Sequence, residues 1–168
     1  MSGDSVADQV GAIVNVGKTA WDIVRDGRAS SSAASSYCSA VPSKIPFTDL
    51  YGWTKKSGVW PYVVENPLGM TLVECEFKYS FLWGGRSDDH PDAQFVKNFS
   101  VWCTSTDVFW GIDFDANATV RGSPYNAGNR TRVIGAIPIL VRAGVRGSAA
   151  ISNTWELTAR GDGKLSTA

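Results

Sequence analysis

Thr71-Leu-Val-Glu-Cys-Glu-Phe-Lys-Tyr-Ser-Phe-Leu-Trp83 is the stretch that decides the fold. Val73, Cys75, Phe77, Tyr79, Phe81 and Trp83 alternate with Glu74, Glu76, Lys78 and Ser80, and a period of two places one set on a buried face and the other in water. Gly84 to Pro91 follows as a polar turn, after which residues 95–104 and 107–115 repeat the alternation and read as antiparallel neighbours. Further on, residues 132–142 form a nearly continuous apolar strand in which Pro138 implies a bulge or an edge. Residues 149–159, with Ile151, Trp155 and Leu157, supply the last strand. On the N-terminal side, Tyr37 to Gly69 is punctuated by Pro42, Pro46, Gly52, Gly58, Pro61 and Pro67, so only short edge strands are expected there. The expected body, residues 37–160, is mainly β: an antiparallel β-sandwich of jelly-roll-like kind, followed by a polar tail at 161–168.

Residues 1–27 read differently. Val6, Val10, Ile13, Val14, Gly17, Ala20, Trp21 and Val24 recur at three- and four-residue steps, with Asp8, Asn15, Lys18, Asp22 and Arg25 opposite, which predicts an N-terminal amphipathic α-helix. Ser5 and Asp8 fit a capping box, Asp4 and Asp8 suit its positive end, and Gly27 supplies a stop. Such a helix is about 33 Å long at ~1.5 Å per residue, roughly one hydrocarbon thickness. Its charges exclude an ordinary transmembrane span, but allow it to lie on a bilayer or to cross with its polar stripe facing water. Residues 28–36, Arg-Ala-Ser-Ser-Ser-Ala-Ala-Ser-Ser, read as a flexible tether. Packing of the helix over a sheet, and a surface loop at 28–36, are the alternatives.

The chain has 168 residues with 16 basic and 16 acidic side chains, so no basic stripe argues for nucleic acid. Cys38, Cys75 and Cys103 lack Cys-x-x-Cys spacing and outline neither a disulfide framework nor a zinc site. No cleavable signal peptide is read at the start of the chain, which leaves an intracellular protein, a mature form or export by another route, and a secreted or exported protein is the expectation. His90, within Ser87-Asp-Asp-His-Pro-Asp92, could join Asp88, Asp89 and Asp92 around a divalent ion, but a solvated turn explains the segment better and no metal is expected. Hydrolase elbows, zinc-protease motifs and phosphate loops are all missing, so neither an enzyme nor a cofactor is expected. Trp53, Trp60, Tyr62, Trp83, Trp110 and Tyr125 lie near expected turns, where amphipathic rings suit lipid headgroups or sugars. Trp102 and Trp155 read as core.

Ala7-Asp8-Gln-Val-Gly11-Ala12-Ile13-Val14, followed by Ala20-Trp21-Asp22-Ile23-Val24-Arg25, resembles the opening run of the actinoporins, pore-forming cytolysins of sea anemones. The resemblance covers about twenty of the 168 residues. It implies an actinoporin-like sandwich with a packed N-terminal helix and an aromatic membrane-binding face. Pro46-Phe47-Thr48-Asp49 has one residue more than the family's Pro-aromatic-Asp segment, and no headgroup ligand is carried over. Arg160-Gly161-Asp162 repeats a tripeptide of the family at a different place in the chain.

The function expected is a membrane-binding, pore-forming cytolysin. Val6, Val10, Ile13, Val14, Trp21 and Val24 would meet the lipid of a target membrane, while Asp8, Asn15 and Asp22 would line a homo-oligomeric pore. The runner-up is a structural or assembly protein, a viral coat or filament subunit with an N-terminal arm. A third reading is a carbohydrate-binding lectin.

Overall fold

The structure is a computed structural model that describes residues 5–147 and 150–167. Asp4, read as part of a helix's acidic first turn, and Ala149, read as the start of the last strand, lie outside the described residues. In chain order the elements are α1 (Val6–Val10), β1 (Ile13–Val14), β2 (Ala20–Arg25), β3 (Arg28–Ala29), β4 (Cys38–Pro42), β5 (Thr54–Glu65), β6 (Thr71–Gly85), β7 (Phe95–Val108), β8 (Asp113–Val120), β9 (Tyr125–Asn126), β10 (Gly135–Arg146), β11 (Ala150–Arg160) and β12 (Leu165–Thr167). A short 3-10 turn at Phe47–Asp49 interrupts the approach to β5.

These strands make two antiparallel sheets. The first runs β1-β4-β7-β6-β5, and the second runs β12-β11-β10-β8-β2-β3 with β9 beside β10. Period-two alternation in β6 and β8 turns Val73, Cys75, Phe77, Phe114, Ala116 and Ala118 inward, and the two inner faces share one core. A smaller cluster of Val10, Val41, Leu50, Ala93, Phe95 and Val133 seals one end. Pro138, expected at a bulge or an edge, sits in a strand paired on both sides. The pairing of β10 with β8 begins one residue later at Ile139, so the missing N–H leaves no gap in that ladder. Trp102 faces the outer side opposite Lys78 and is half-buried, whereas Trp155 packs against the core as expected. Part of the polar tail becomes edge strand β12.

The N-terminal segment is the main correction. A five-residue helix replaces the 1–27 helix, and the capping box of Ser5 and Asp8 survives within it. Gly11, at φ 79°, ends it, and Asp26 and Gly27, at φ 51° and 75°, form the two central residues of a β2–β3 hairpin. The reason lies in the residues themselves. Val10, Ile13, Val14, Val16, Thr19, Ile23 and Val24 are β-branched, stiff at χ1 and poor in a helix, and Gly11 and Gly17 each weaken it further. A helical stripe also strands Ile23 off the apolar face and puts Ala20 on it. In the protein Ile23 is fully buried and Ala20 is exposed. A bulge between Asp22 and Val24 lets Trp21, Ile23 and Val24 all turn inward, which imitates helical spacing. Asp-Gly between apolar runs is the strongest short hairpin signal, and it was the cue that a helix stop at Gly27 concealed.

The residues assigned to lipid and pore are therefore redistributed. Val10 belongs to the end cluster with Val6 and Val14 beside it, Ile13 touches both clusters, and Trp21 and Val24 lie in the main core. The Trp21 indole donates to the Val101 carbonyl at 3.0 Å and so ties the second sheet to the first. Asp8 caps α1 and pairs with Arg130, and hydrogen bonding from Ser5, then the Arg130 charge, holds its carboxyl below the usual range. Asn15 accepts from the Gly17 and Ser39 amides, and Asp22 pairs with Arg25. The three face different surroundings and make no common stripe. The serine run is a packed connection rather than a free tether: the Ser30 amide donates to the Ile23 carbonyl, Ser32 and Ser35 close a turn on each other, and Ser36 is buried.

Removing residues 1–27 takes Val10, Trp21, Ile23 and Val24 from the interior. At ~1.5–3 kcal/mol per buried side chain that is about 8 kcal/mol, comparable with the ~5–15 kcal/mol that holds a whole domain. The truncated chain is expected to lose its cooperative melt by circular dichroism. A truncated protein melting within a few degrees of the full chain would show that β2 is dispensable.

Cys38, Cys75 and Cys103 are free and buried. Burial pushes each thiol up, Cys75 to about 12 with Cys103 adding to the effect. The folded state keeps these thiols protonated, while an unfolded chain releases their protons above about pH 9. Stability is therefore unaffected by them below that pH and falls as pH rises beyond it. Denaturant midpoints should be level from pH 7 to 8.5 and lower at pH 10.5, and a thiol reagent at pH 8 should react at an appreciable rate only after unfolding.

Candidate functional site

At one end of the body two turns meet. The Phe109 amide donates to the Leu72 carbonyl at 2.8 Å, next to the Val73 and Val108 pair, so the β5–β6 and β7–β8 connections lie side by side. The first, Asn66-Pro67-Leu68-Gly69-Met70, is a five-residue connection in which Pro67, Leu68 and Gly69 turn between Asn66 and Met70, with Gly69 at φ 82° in the left-handed position. The Asn66 amide donates to the Met70 carbonyl and the Gly69 amide to the Asn66 carbonyl, both at 2.9 Å. The Asn66 side-chain oxygen accepts from the Leu68 and Met70 amides, each at 3.0 Å. Pro67 has no N–H. Every backbone donor from 66 to 70 is thus either satisfied or missing by chemistry.

The second connection is a four-residue turn, closed by the Ile112 amide on the Phe109 carbonyl at 3.1 Å, with Gly111 at φ 82°. That geometry makes Trp110 its apex. Turn apices are ordinarily polar, yet here Leu68 is 91% and Trp110 90% exposed, with Met70 and Phe109 at 46% each. Four large apolar side chains on two adjoining tips form a convex apolar end. Among the described residues its rim carries Glu65, Asp107 and Asp113 on the flanking strands, Arg146 opposite Asp113, and Asp26 and Arg28 on the turn beside Val108, so no basic excess accompanies the apolar tips.

The six aromatic residues expected to face headgroups or sugars do not converge. Trp110 alone stands on this end. Tyr62 is buried, with its hydroxyl donating to Asn153, and Trp60 is half-buried against Phe77. Trp53 covers Gly85 and receives the Lys97 ammonium on its face at 4.7 Å, while Trp83 covers Gly163. Tyr125 pairs with Ala136 at the far end of β10, about 33 Å from Arg146 at ~3.3 Å per residue. Leu68, Met70 and Phe109 escaped the sequence reading. The available signal was a large apolar residue beside glycine inside each turn, Leu68-Gly69 and Trp110-Gly111.

Other candidates offer less. Asp88, Asp89 and His90, without Asp92, line a polar hollow of about 480 Å³ with Lys44 and Asp49, and among the described residues no three His, Cys, Asp or Glu gather as a metal would need. Arg160 and Asp162 engage each other at 2.8 Å and are mostly buried, so that tripeptide presents no free charges. A wider polar hollow over β2 and β8 includes Arg25 and Asp22, already paired, and Lys18, bound to Ser36. No helix among the described residues is long and apolar enough to cross a membrane.

Asn66→Ala should free two amides at the tip and cost about 1–2 kcal/mol, lowering the melting temperature by several degrees without changing the β spectrum. An unchanged melt would show that the loop holds its shape without this side chain. No known protein family, curated protein sequence or solved structure matches this chain.

Proposed function

We propose that this protein is a membrane-docking β-sandwich that seats its apolar end in the interface of a lipid bilayer. The observation that carries this reading is the exposed, apolar 66–70 turn in which no backbone N–H is left unpaired. An apolar medium penalises each unpaired N–H by several kcal/mol, and the N–H groups of this tip are all paired while it is still in water. Convexity supports lipid as the occupant, because a bilayer deforms around projecting side chains whereas a rigid protein would need a matching pocket. Trp110 supplies the amphipathic ring that favours the headgroup level.

The energetics describe reversible adsorption. Leu68 and Trp110 fully, with Met70 and Phe109 by half, contribute on the order of 5 kcal/mol at ~1.5–3 kcal/mol per side chain. That corresponds to binding in the millimolar to micromolar range, below permanent insertion. With no basic excess at this end, the attraction is apolar and weakly dependent on salt.

A pore lined by the N-terminal segment, the stronger expectation from the sequence, would require β2 to leave its pairing with β8 and to refold. Docking is the step we retain, and dye leakage separates the two because docking alone leaves vesicles sealed. On phosphatidylcholine vesicles the wild type should co-sediment with a blue-shifted tryptophan emission, nearly unchanged between low and high salt. Leu68→Ser with Trp110→Ser, both at solvent-exposed tips, should weaken binding at least about a hundredfold while preserving the melt. Binding by that variant equal to the wild type would overturn the assignment.

A further inference from the structure

The two sheets part along one side of the body, between edge strand β5 and the β11–β12 pair. Two hydrogen bonds bridge this seam: the Tyr62 hydroxyl to the Asn153 side chain at 2.7 Å, and the Lys56 ammonium to the Gly163 carbonyl at 3.0 Å. Between them opens a cleft of about 520 Å³, lined by Val59, Trp60, Tyr79, Trp155, Leu157 and Leu165, with Thr167 at its lip. Its size falls within the ~300–1,000 Å³ of ordinary small-ligand sites. Trp60 lies 5.8 Å from Trp155 by ring centroids, so the two indoles from opposite sheets form its inner wall. The Trp60 indole N–H is buried there without a partner.

Charge around the mouth is uneven. Lys56 stands at one bridge, and Lys164 follows Gly163 in the adjoining turn. Neither lysine is in an ion pair among the described residues, whereas Glu156 is held by Arg121 and Asp162 by Arg160. Glu76 lies opposite Pro61, toward the Tyr62 bridge. An apolar slot with ammonium groups at one end suits a molecule with a hydrocarbon chain and one anionic terminus.

We propose that this inter-sheet cleft binds a free long-chain fatty acid, its chain between Trp60, Trp155 and Leu165 and its carboxylate at Lys56. The site is separate from the apolar loop end: β5 enters that end at Glu65, whereas the cleft lies around its midpoint and the Lys56 end.

The test uses the full chain with dodecanoate below its micelle concentration, followed by calorimetry and tryptophan emission. The expected result is saturable binding of one dodecanoate per chain. Thr167→Trp, an exposed lip position that fills the mouth, should lower affinity at least tenfold, and Lys56→Met should weaken dodecanoate about tenfold while leaving dodecanol within about twofold. Leu68→Ser with Trp110→Ser should bind dodecanoate like the wild type. Absence of saturable binding, undiminished binding by Thr167→Trp, or loss of binding in the loop-end variant would overturn the site. Equal weakening of acid and alcohol by Lys56→Met would overturn the carboxylate assignment.

Discussion

Five aromatic rings bridging the sheets hold the body together. Trp60, Tyr62 and Phe77 from the first sheet meet Phe114 and Trp155 from the second, with centroid separations of 5.3 to 5.9 Å across the sheets. Each ring contributes large apolar area, and their offset and tilted packing adds about 0.5–1.5 kcal/mol per pair beyond burial. Because these contacts join strands far apart in sequence, they also set the distance and angle between the sheets. The cleft beside Trp60 and Trp155 is the margin of this cluster, where the aromatic layer runs out before the edge strands do.

The same cluster explains why the apolar loop end projects. β5 and β6 are anchored by rings near their middles and β8 by Phe114 next to its start, so the connecting turns are carried outward from held strands. Side-chain capping by Asn66 and the left-handed Gly69 then fix the shape of the first tip through bonds within residues 66–70. A tip built in this way keeps its geometry when its surroundings change from water to an apolar medium, since none of its internal hydrogen bonds depends on solvent.

β2 occupies the opposite role, as the element most easily misread. Its apolar residues are needed in the core, and the bulge at Asp22 to Val24 presents three of them within four positions. On paper this is indistinguishable from a helical stripe until Ile23 is asked to be buried and Asp26-Gly27 is asked to turn. Once the strand is seated, Trp21 also spans the two sheets through the Val101 carbonyl. The N-terminal segment is therefore part of the body's architecture rather than an appendage.

Much was legible in the residues alone. Alternation in 71–83 and 95–104, and the apolar run at 133–141, specify strands with a buried face because side-chain direction in a strand has a period of two whatever its partners. The resulting antiparallel, mainly β class follows from local chemistry. What the tertiary structure decided were the elements whose local preference was divided: residues 20–25, where β-branched content and a hidden bulge competed with a helical pattern, and the serine run, whose order comes from bonds to β2. It also decided the site. Leu68 and Trp110 are ordinary apolar residues until the pairing of β6 with β7 brings their turns together. The cleft exists only because two distant edges, β5 and β12, stop short of each other. No spacing within one stretch of sequence encodes a gap between two sheets.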